Sequence, residues 1–98
     1  MNDFVFEGIV SDVERSEFVN RYHEEVDQVG FIVTEDEGLH PFRQSHWFMM
    51  YGERLKQYGD RVQDGARVRV HFALNGVNRS RQGKCFNRIG VWAVETIN

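Results

Sequence analysis

The most regular hydrophobic pattern in the chain lies between Gly65 and Gly76. Within this segment apolar residues alternate with other residues, and a period of two is typical of a strand with one buried face. The buried row is expected to consist of Val68, Val70, Phe72 and Leu74. The opposite row would then carry Arg67, Arg69 and His71 on the outer face of a sheet.

Four other segments are rich in residues that favour strands. They predict strands over residues 4–13, 28–34, 44–51 and 84–95. The last of these does not alternate strictly, and we expect a β-bulge near residues 88–90. A run of helix formers from Glu53 to Gly59 predicts one short helix, and the polar, basic segment 75–83 predicts a hairpin loop.

The segment 14–27 is compatible with two structures. Phe18, Tyr22 and Val26 recur at every fourth position, which fits one face of a helix, and the same residues fit an extended β-hairpin. We assign the segment provisionally as an elaborated acidic loop. The segment 34–42, which contains the only proline, is expected to be a second acidic loop.

Five strands and one short helix in a chain of 98 residues fit a single domain over residues 1–98. The single cysteine, Cys85, cannot close an internal disulfide, so packing alone must stabilise the core, and Cys85 is expected to be a small buried residue within it. A small closed barrel removes exposed sheet edges. The predicted fold is therefore mainly β, a five-stranded Greek-key OB-fold barrel with one short helix between strands 3 and 4.

The predicted core combines the buried row of the fourth strand with aromatic and aliphatic residues of the earlier strands. These are Phe6, Phe31, Val33 and Phe48. Trp92 is flanked by apolar residues in the last strand and is also expected to be buried.

Charge is unevenly distributed, although the formal net charge is only −3. Residues 1–42 carry 2 basic and 11 acidic side chains, whereas residues 43–98 carry 10 basic and 4 acidic ones. No acidic residue lies between Gly65 and Val94. Such an asymmetry indicates a surface for a polyanion in the C-terminal half.

Several short segments of the chain, taken in order, carry a resemblance to a known family. They are Phe6-Glu7-Gly8, then Phe31-Ile32-Val33, then Phe48-Met49-Met50-Tyr51-Gly52, then the alternating run from Gly65 to Leu74, and then Cys85-Phe86 followed by Ile89, Val91, Trp92, Val94 and Glu95. In this order they resemble a family of small bacterial and bacteriophage OB-fold proteins related to single-stranded DNA-binding protein. The resemblance implies a β-barrel that binds single-stranded DNA in replication or recombination, without catalysis and without a cofactor. It also implies a dimer or tetramer, because several linked sites raise affinity.

An OB-fold surface binds a single strand by stacking bases on exposed aromatic rings, while lysines and arginines contact the phosphates. The register that the resemblance implies buries Phe48 and Met50 and turns residues 47, 49 and 51 outward. The candidate stacking residues are Trp47, Tyr51 and, with core packing as the alternative, Phe86. The candidate phosphate-contacting residues are Arg43, Arg67, Arg69, Arg79, Arg81, Lys84 and Arg88.

The sequence carries no signal for an enzyme, a metal site or a membrane span. The four histidines lack the close pair spacing of zinc ligands, and there is no nucleophile motif and no glycine-rich phosphate loop. No apolar run approaches the roughly 20 residues of a membrane helix and the N-terminus lacks a secretion signal, so we expect a cytoplasmic protein.

Three functions stay open at this point. Single-stranded DNA binding is the leading hypothesis, and RNA binding is compatible with the same aromatic and basic residues. The third is an OB-fold protein-interaction module, for example a DNA mimic, that uses the acidic N-terminal half. The position of the acidic side chains relative to Trp47 and Tyr51 separates the first function from the third.

Overall fold

A single antiparallel sheet contains all five strands, in the order β3-β2-β1-β4-β5. The computed structural model describes residues 3–35, 43–79, 82–83 and 85–97, without the side chains of residues 75–79 and 86–88. The elements are β1 (Asp3–Val19), β2 (Glu25–Thr34), β3 (Ser45–Tyr51), α1 (Gly52–Tyr58), a 3-10 turn (Gly59–Arg61), β4 (Arg67–Arg79) and β5 (Cys85–Thr96). The mainly β architecture and the short helix between the third and fourth strands are therefore confirmed. The described residues of β3 and β5 form no ladder, so the sheet is open at these two strands and the predicted Greek-key closure is not confirmed.

The long strand β1 lies at the centre of the sheet and changes partners along its length. Its first half pairs with β4, from Asp3 opposite Ala73 to Ile9 opposite Arg67. Its second half pairs with β2 as far as Val19. Gly8 lies where β1 passes the end of β2, and a Cβ at this position would come within 2.1 Å of the Thr34 carbonyl oxygen. Only a glycine allows this close approach.

A β-bulge interrupts β1 shortly after the change of partner. Ser11 lies opposite Ile32 and Glu14 lies opposite Gly30, so β1 has one residue more than β2 between these pairs. Asp12 has a positive φ of 51°, a conformation that aspartate tolerates better than most residues. The extra residue reverses which side chains point into the core, as bulges do. Val10 is buried before the bulge and Val13 packs against the core after it.

The segment 14–27 is not a loop, as we had assigned it, but the extended hairpin of β1 and β2. Asn20 closes the hairpin turn, because its Oδ1 accepts hydrogen bonds from the backbone N–H groups of Tyr22 at 2.9 Å and Glu24 at 3.0 Å. His23 adopts a positive φ of 62° in this turn. An asparagine that bonds its own neighbouring backbone is a turn signal, and it marks this hairpin in the sequence.

The core agrees closely with the predicted one. Phe31, Val33, Phe48, Val68 and Val70 are buried, while Phe6 and Phe72 are partly buried against them. Leu74 is different, because its side chain is 38% exposed. Met50 is buried as the implied register of β3 predicts, and buried residues outside the predicted set include Val10, Val29, Val62 and Val94.

Trp92 and Cys85 of the last strand were predicted to be buried, and both are exposed. Trp92 is 38% exposed because β5 has a bulge there: Val91 lies opposite Phe72 and Ala93 lies opposite His71, which leaves Trp92 as the extra residue. The bulge was expected at residues 88–90, where the pairing is also irregular but the extra residue belongs to β4. Cys85 is exposed, since it begins β5 opposite Arg79, at the end of the hairpin far from the core.

Helix α1 and the 3-10 turn are tied to the sheet through arginine side chains. Arg15 Nη2 donates hydrogen bonds to the carbonyl oxygens of Gly59 at 3.0 Å and Val62 at 2.8 Å. Arg61 Nη1 donates to the Val94 carbonyl at 2.6 Å, which occupies a backbone acceptor of the edge strand β5. No helix in the part of the chain that the structure describes is long and apolar enough to cross a membrane.

The alternation in β2 yields a matched test of the core. Phe31 is fully buried and its ring centroid lies 5.9 Å from that of Phe48, whereas Ile32 points to the other face. We expect Phe31→Ala to lower the free energy of unfolding by about 3–5 kcal/mol, because it leaves a cavity as well as losing buried area. Ile32→Ala serves as the control and should cost clearly less. Urea unfolding measures both, and equal losses would contradict the face assignment.

Candidate functional site

Two exposed aromatic rings lie on the outer face of β3. Phe48 and Met50 point into the core, and Trp47 and Tyr51 point away from it with 56% and 53% of their surface exposed. The predicted register of this strand is therefore confirmed. An aromatic ring that is half exposed on a pleated sheet offers a flat apolar surface to a ligand.

Gly30 provides the space in which the Trp47 indole lies. A Cβ built on Gly30 would be 3.1 Å from the indole Nε1 and 3.2 Å from its Cζ2. Gly30 pairs with Met49, and the neighbouring pair in the ladder is Ile32 with Trp47. The indole therefore extends across the β2 backbone, which leaves its other side to solvent.

A third aromatic residue, Phe18, extends this surface along the β1–β2 hairpin. Its ring centroid lies 6.3 Å from that of Tyr51, with the rings at 76°, an edge-to-face contact. In the adjacent ladder row Gln28 Nε2 donates a hydrogen bond to Ser16 Oγ at 2.9 Å. We call Trp47, Tyr51 and Phe18 the aromatic stripe. Phe18 is not among the stacking residues predicted from the sequence, because only the bulge in β1 turns it to the outer face.

The acidic side chains of the hairpin fall mainly on the face away from the stripe. Arg15 points toward α1, and Glu17 shares its side of β1, while Asp27 lies opposite Glu17 on β2. Glu14 is the exception, because its pairing with Gly30 puts it on the side of the stripe. A cavity of about 660 Å³ lies between the hairpin and α1, and its lining includes the carboxylates of Glu17, Glu24, Glu25, Asp27 and Glu53.

The candidate phosphate contacts are divided among different parts of the outer surface. Arg67 is exposed and lies opposite Ile9 of β1. Ile9 lies opposite Thr34 of β2, and Thr34 lies opposite Ser45, so one row across the sheet joins Arg67 to the start of β3. Arg43 is exposed just before β3. Arg67 therefore lies on the same outer face as Trp47, and Arg43 directly precedes the strand that carries Trp47.

Arg69 is engaged by two carboxylates of the neighbouring strands. Its Nε lies 2.6 Å from Glu7 Oε1, and its Nη1 lies 3.3 Å from Glu95 Oε2. The Glu7 hydrogen bond is the main cause that raises the pKa of Arg69 above its ordinary range. The charge of Arg69 is thus largely compensated within the protein, which weakens it as a phosphate contact.

Glu95 also accepts a hydrogen bond from His71 Nε2, and the His71 ring lies 5.0 Å from that of Trp92. This hydrogen bond is the main cause that lowers the pKa of Glu95 below its ordinary value of 4.5, and the Arg69 charge lowers it further. Glu7, Arg69, Glu95 and His71 form one polar network across β1, β4 and β5, and Trp92 packs at its end.

The remaining candidates lie wholly or partly outside the described part of the chain. Arg81 and Lys84 lie outside the described residues. Arg79, Phe86 and Arg88 belong to β4 and β5, but their side chains are outside the description. Their predicted roles stay predictions.

The chain matches no protein-family model, and none of the curated proteins compared with it matches either. In the described ranges no group of three or more His, Cys, Asp or Glu residues could hold a metal ion.

The polar network predicts a specific pH dependence of stability. Because folding depresses the pKa of Glu95, its contribution is present above about pH 4.5 and is lost as the pH falls through the lower value of the folded state. Thermal unfolding from about pH 6 to about pH 3 should therefore show a shallower fall in Tm for Glu95→Gln than for the unmodified protein. Glu53→Gln, which removes a carboxylate that is 90% exposed, should keep the original slope. Identical slopes for all three proteins would contradict the assignment.

Proposed function

We propose that this protein binds single-stranded DNA along the aromatic stripe and that it is not an enzyme. The observation that carries the proposal is the pair of half-exposed rings, Trp47 and Tyr51, on one strand face with Phe18 in edge contact beside them. A single strand presents its bases to such a surface, and every base has a flat face that stacks on an aromatic ring. Duplex DNA keeps its bases stacked on one another, so binding to the aromatic stripe would add little stacking energy.

Electrostatics support a polyanion on this face. Arg67 and Arg43 are exposed near the start of β3, and in the sequence the segment 79–88 carries Arg79, Arg81, Lys84 and Arg88 with no acidic residue among them. The hairpin carboxylates at positions 17 and 27 lie on the other side of β1 and β2. Phosphates near the stripe would therefore lie on the face of Arg67, with the carboxylates of Glu17 and Asp27 on the opposite face.

We further propose that the sheet is an OB-fold barrel. The order β3-β2-β1-β4-β5 makes β3 and β5 the two edges, and Met49–Tyr51 of β3 line a common cleft with Ile89–Trp92 of β5. Two edge strands that line one cleft are what a nearly closed barrel requires. In such a barrel the long β1–β2 and β4–β5 hairpins flank a binding groove, and association of two or four copies would multiply the sites.

The acidic cavity favours a second candidate function, a protein-interaction module. Five carboxylates line it, whereas its two cations are already engaged: Arg15 bonds backbone carbonyls and Lys56 pairs with Glu53 at 3.4 Å. A basic segment of a partner protein would complement this surface. Ser16 and Gln28 beside the stripe also line the cavity, but the carboxylates of Glu17 and Asp27 lie on the opposite face from the stripe, so variants at these two positions can test the two functions separately.

Stacking of a base on Trp47 can be tested by substitution. Trp47→Ala should weaken binding of labelled oligo(dT), followed by fluorescence anisotropy, by about 1–3 kcal/mol, because one base loses its stacking partner. Phe4→Ala is the control, since Phe4 is an exposed ring that stacks on Phe72, away from the stripe. Circular dichroism checks that both variants fold. Unchanged affinity of Trp47→Ala would remove Trp47 from the site, and parallel titrations with oligo(rU) and duplex decide between DNA, RNA and double strands.

The second prediction concerns the phosphates. The slope of log K against log salt concentration is about −0.7 for each phosphate neutralised on a single strand. Replacing Arg79, Arg81 and Lys84 together by Gln should therefore make the slope shallower by about 2. Replacing Glu17, Glu25 and Asp27 by Gln should leave it unchanged or raise the affinity slightly.

An unchanged salt slope in the Arg/Lys variant would contradict the proposed phosphate contacts. If the carboxylate variant at the same time lost binding to a basic peptide, the interaction module would be favoured instead.

A further inference from the structure

A cleft of about 300 Å³ separates the two edge strands of the sheet. We call it the edge cleft. Its walls are residues 49–51 of β3, Arg54 of α1, Ala73 of β4 and residues 89–92 of β5. Tyr51 belongs both to this wall and to the aromatic stripe, so the cleft continues the proposed binding surface. Its volume is at the lower end of the range for sites that hold a small ligand.

The chemistry of the edge cleft differs from that of the acidic cavity on the other side of α1. None of the described residues that line it is acidic, and its one charged side chain is the exposed Arg54. No described carboxylate forms an ion pair with Arg54, whereas Lys56 on the same helix pairs with Glu53. The cleft therefore combines two aromatic side chains with a cation that is available to an anion.

Trp92 is held in position at the β5 side of the cleft. The bulge in β5 turns it out of the core, and its ring contacts His71, which donates a hydrogen bond to Glu95. Glu95 is also paired with Arg69, so this carboxylate is already compensated. A fixed and partly exposed indole loses little freedom when a flat ligand packs on it.

We propose that the edge cleft holds one nucleotide of the single strand that lies on the aromatic stripe, with its base packed between Tyr51 and Trp92 and its phosphate paired with Arg54. This inference rests on the proposed function and adds a second stacking position to it. The strand would pass from Trp47 over Tyr51 and cross the gap between β3 and β5. The aromatic side chains and the lone cation favour a nucleotide over an apolar segment of a protein.

The two tryptophans of the chain allow each position to be observed alone. Trp47→Phe leaves Trp92 as the only indole, and Trp92→Phe leaves Trp47. Titration of both variants with oligo(dT) should quench the emission in each, and both signals should saturate together. Trp92→Ala should weaken binding about 5- to 150-fold, the loss expected from one stacked base.

A charge variant tests the phosphate contact without touching an aromatic ring. Arg54→Gln should make the salt slope shallower by about 0.7, because one phosphate contact is lost. Lys56→Gln is the matched control on the same helix and should leave the slope unchanged, since Lys56 lines the acidic cavity.

The outcomes separate this inference from the proposed function. If Trp47 emission is quenched while Trp92 emission and the Arg54→Gln slope stay unchanged, the edge cleft is empty of DNA and the inference is overturned, but the function stands. If Trp92 emission changes with protein concentration alone, a second copy of the chain occupies the cleft and the inference is overturned. If neither the unmodified protein nor any variant binds oligo(dT), both the inference and the proposed function are overturned.

Discussion

The fold depends on the way in which β1 serves two partners. A single strand pairs with β4 over its first half and with β2 over its second half, so it must bend and twist where the two ladders meet. Gly8 permits the close approach to β2, and the bulge at Asp12 supplies the extra residue. Because side chains alternate strictly along a strand, one inserted residue exchanges the two faces of everything that follows it. The β1–β2 hairpin owes the identity of both its faces to this insertion.

The exchange of faces puts the Phe18 and Glu17 side chains of β1 on opposite sides of the sheet. After the bulge, Phe18 joins the outer surface beside Tyr51, while Glu17 takes the side of Arg15 and α1. With the unbroken alternation of β1, Phe18 would face α1 and Glu17 would lie beside the stripe. A strongly acidic hairpin and a surface suited to a polyanion can therefore belong to the same small sheet, because its two sides present different chemistry.

Charge compensation makes Arg69 a weak candidate for a phosphate contact on the outer surface. Arg69 looks in the sequence like Arg67, since both alternate with buried valines of β4. Glu7 and Glu95 lie opposite Arg69 on the two neighbouring strands and bind it, and Glu95 also takes the hydrogen bond of His71. The same network positions Trp92 at the edge of the sheet. An arginine that is already paired gains little from a phosphate, since it would have to give up existing partners.

Local alternation made much of this protein predictable. The buried valines of β4 follow from a period of two that any unbroken strand obeys. The outward Trp47 and Tyr51 of β3 follow from the same period together with the register that the family resemblance implies, and the sequence alone determined both. The tertiary structure alone decided the face of Phe18, the exposure of Trp92 and the pairing of Arg69 with Glu7, a residue 62 positions away. These depend on where bulges interrupt a ladder and on which residues of distant strands lie opposite each other. Such register is set by the packing of the whole sheet, and no local pattern encodes it.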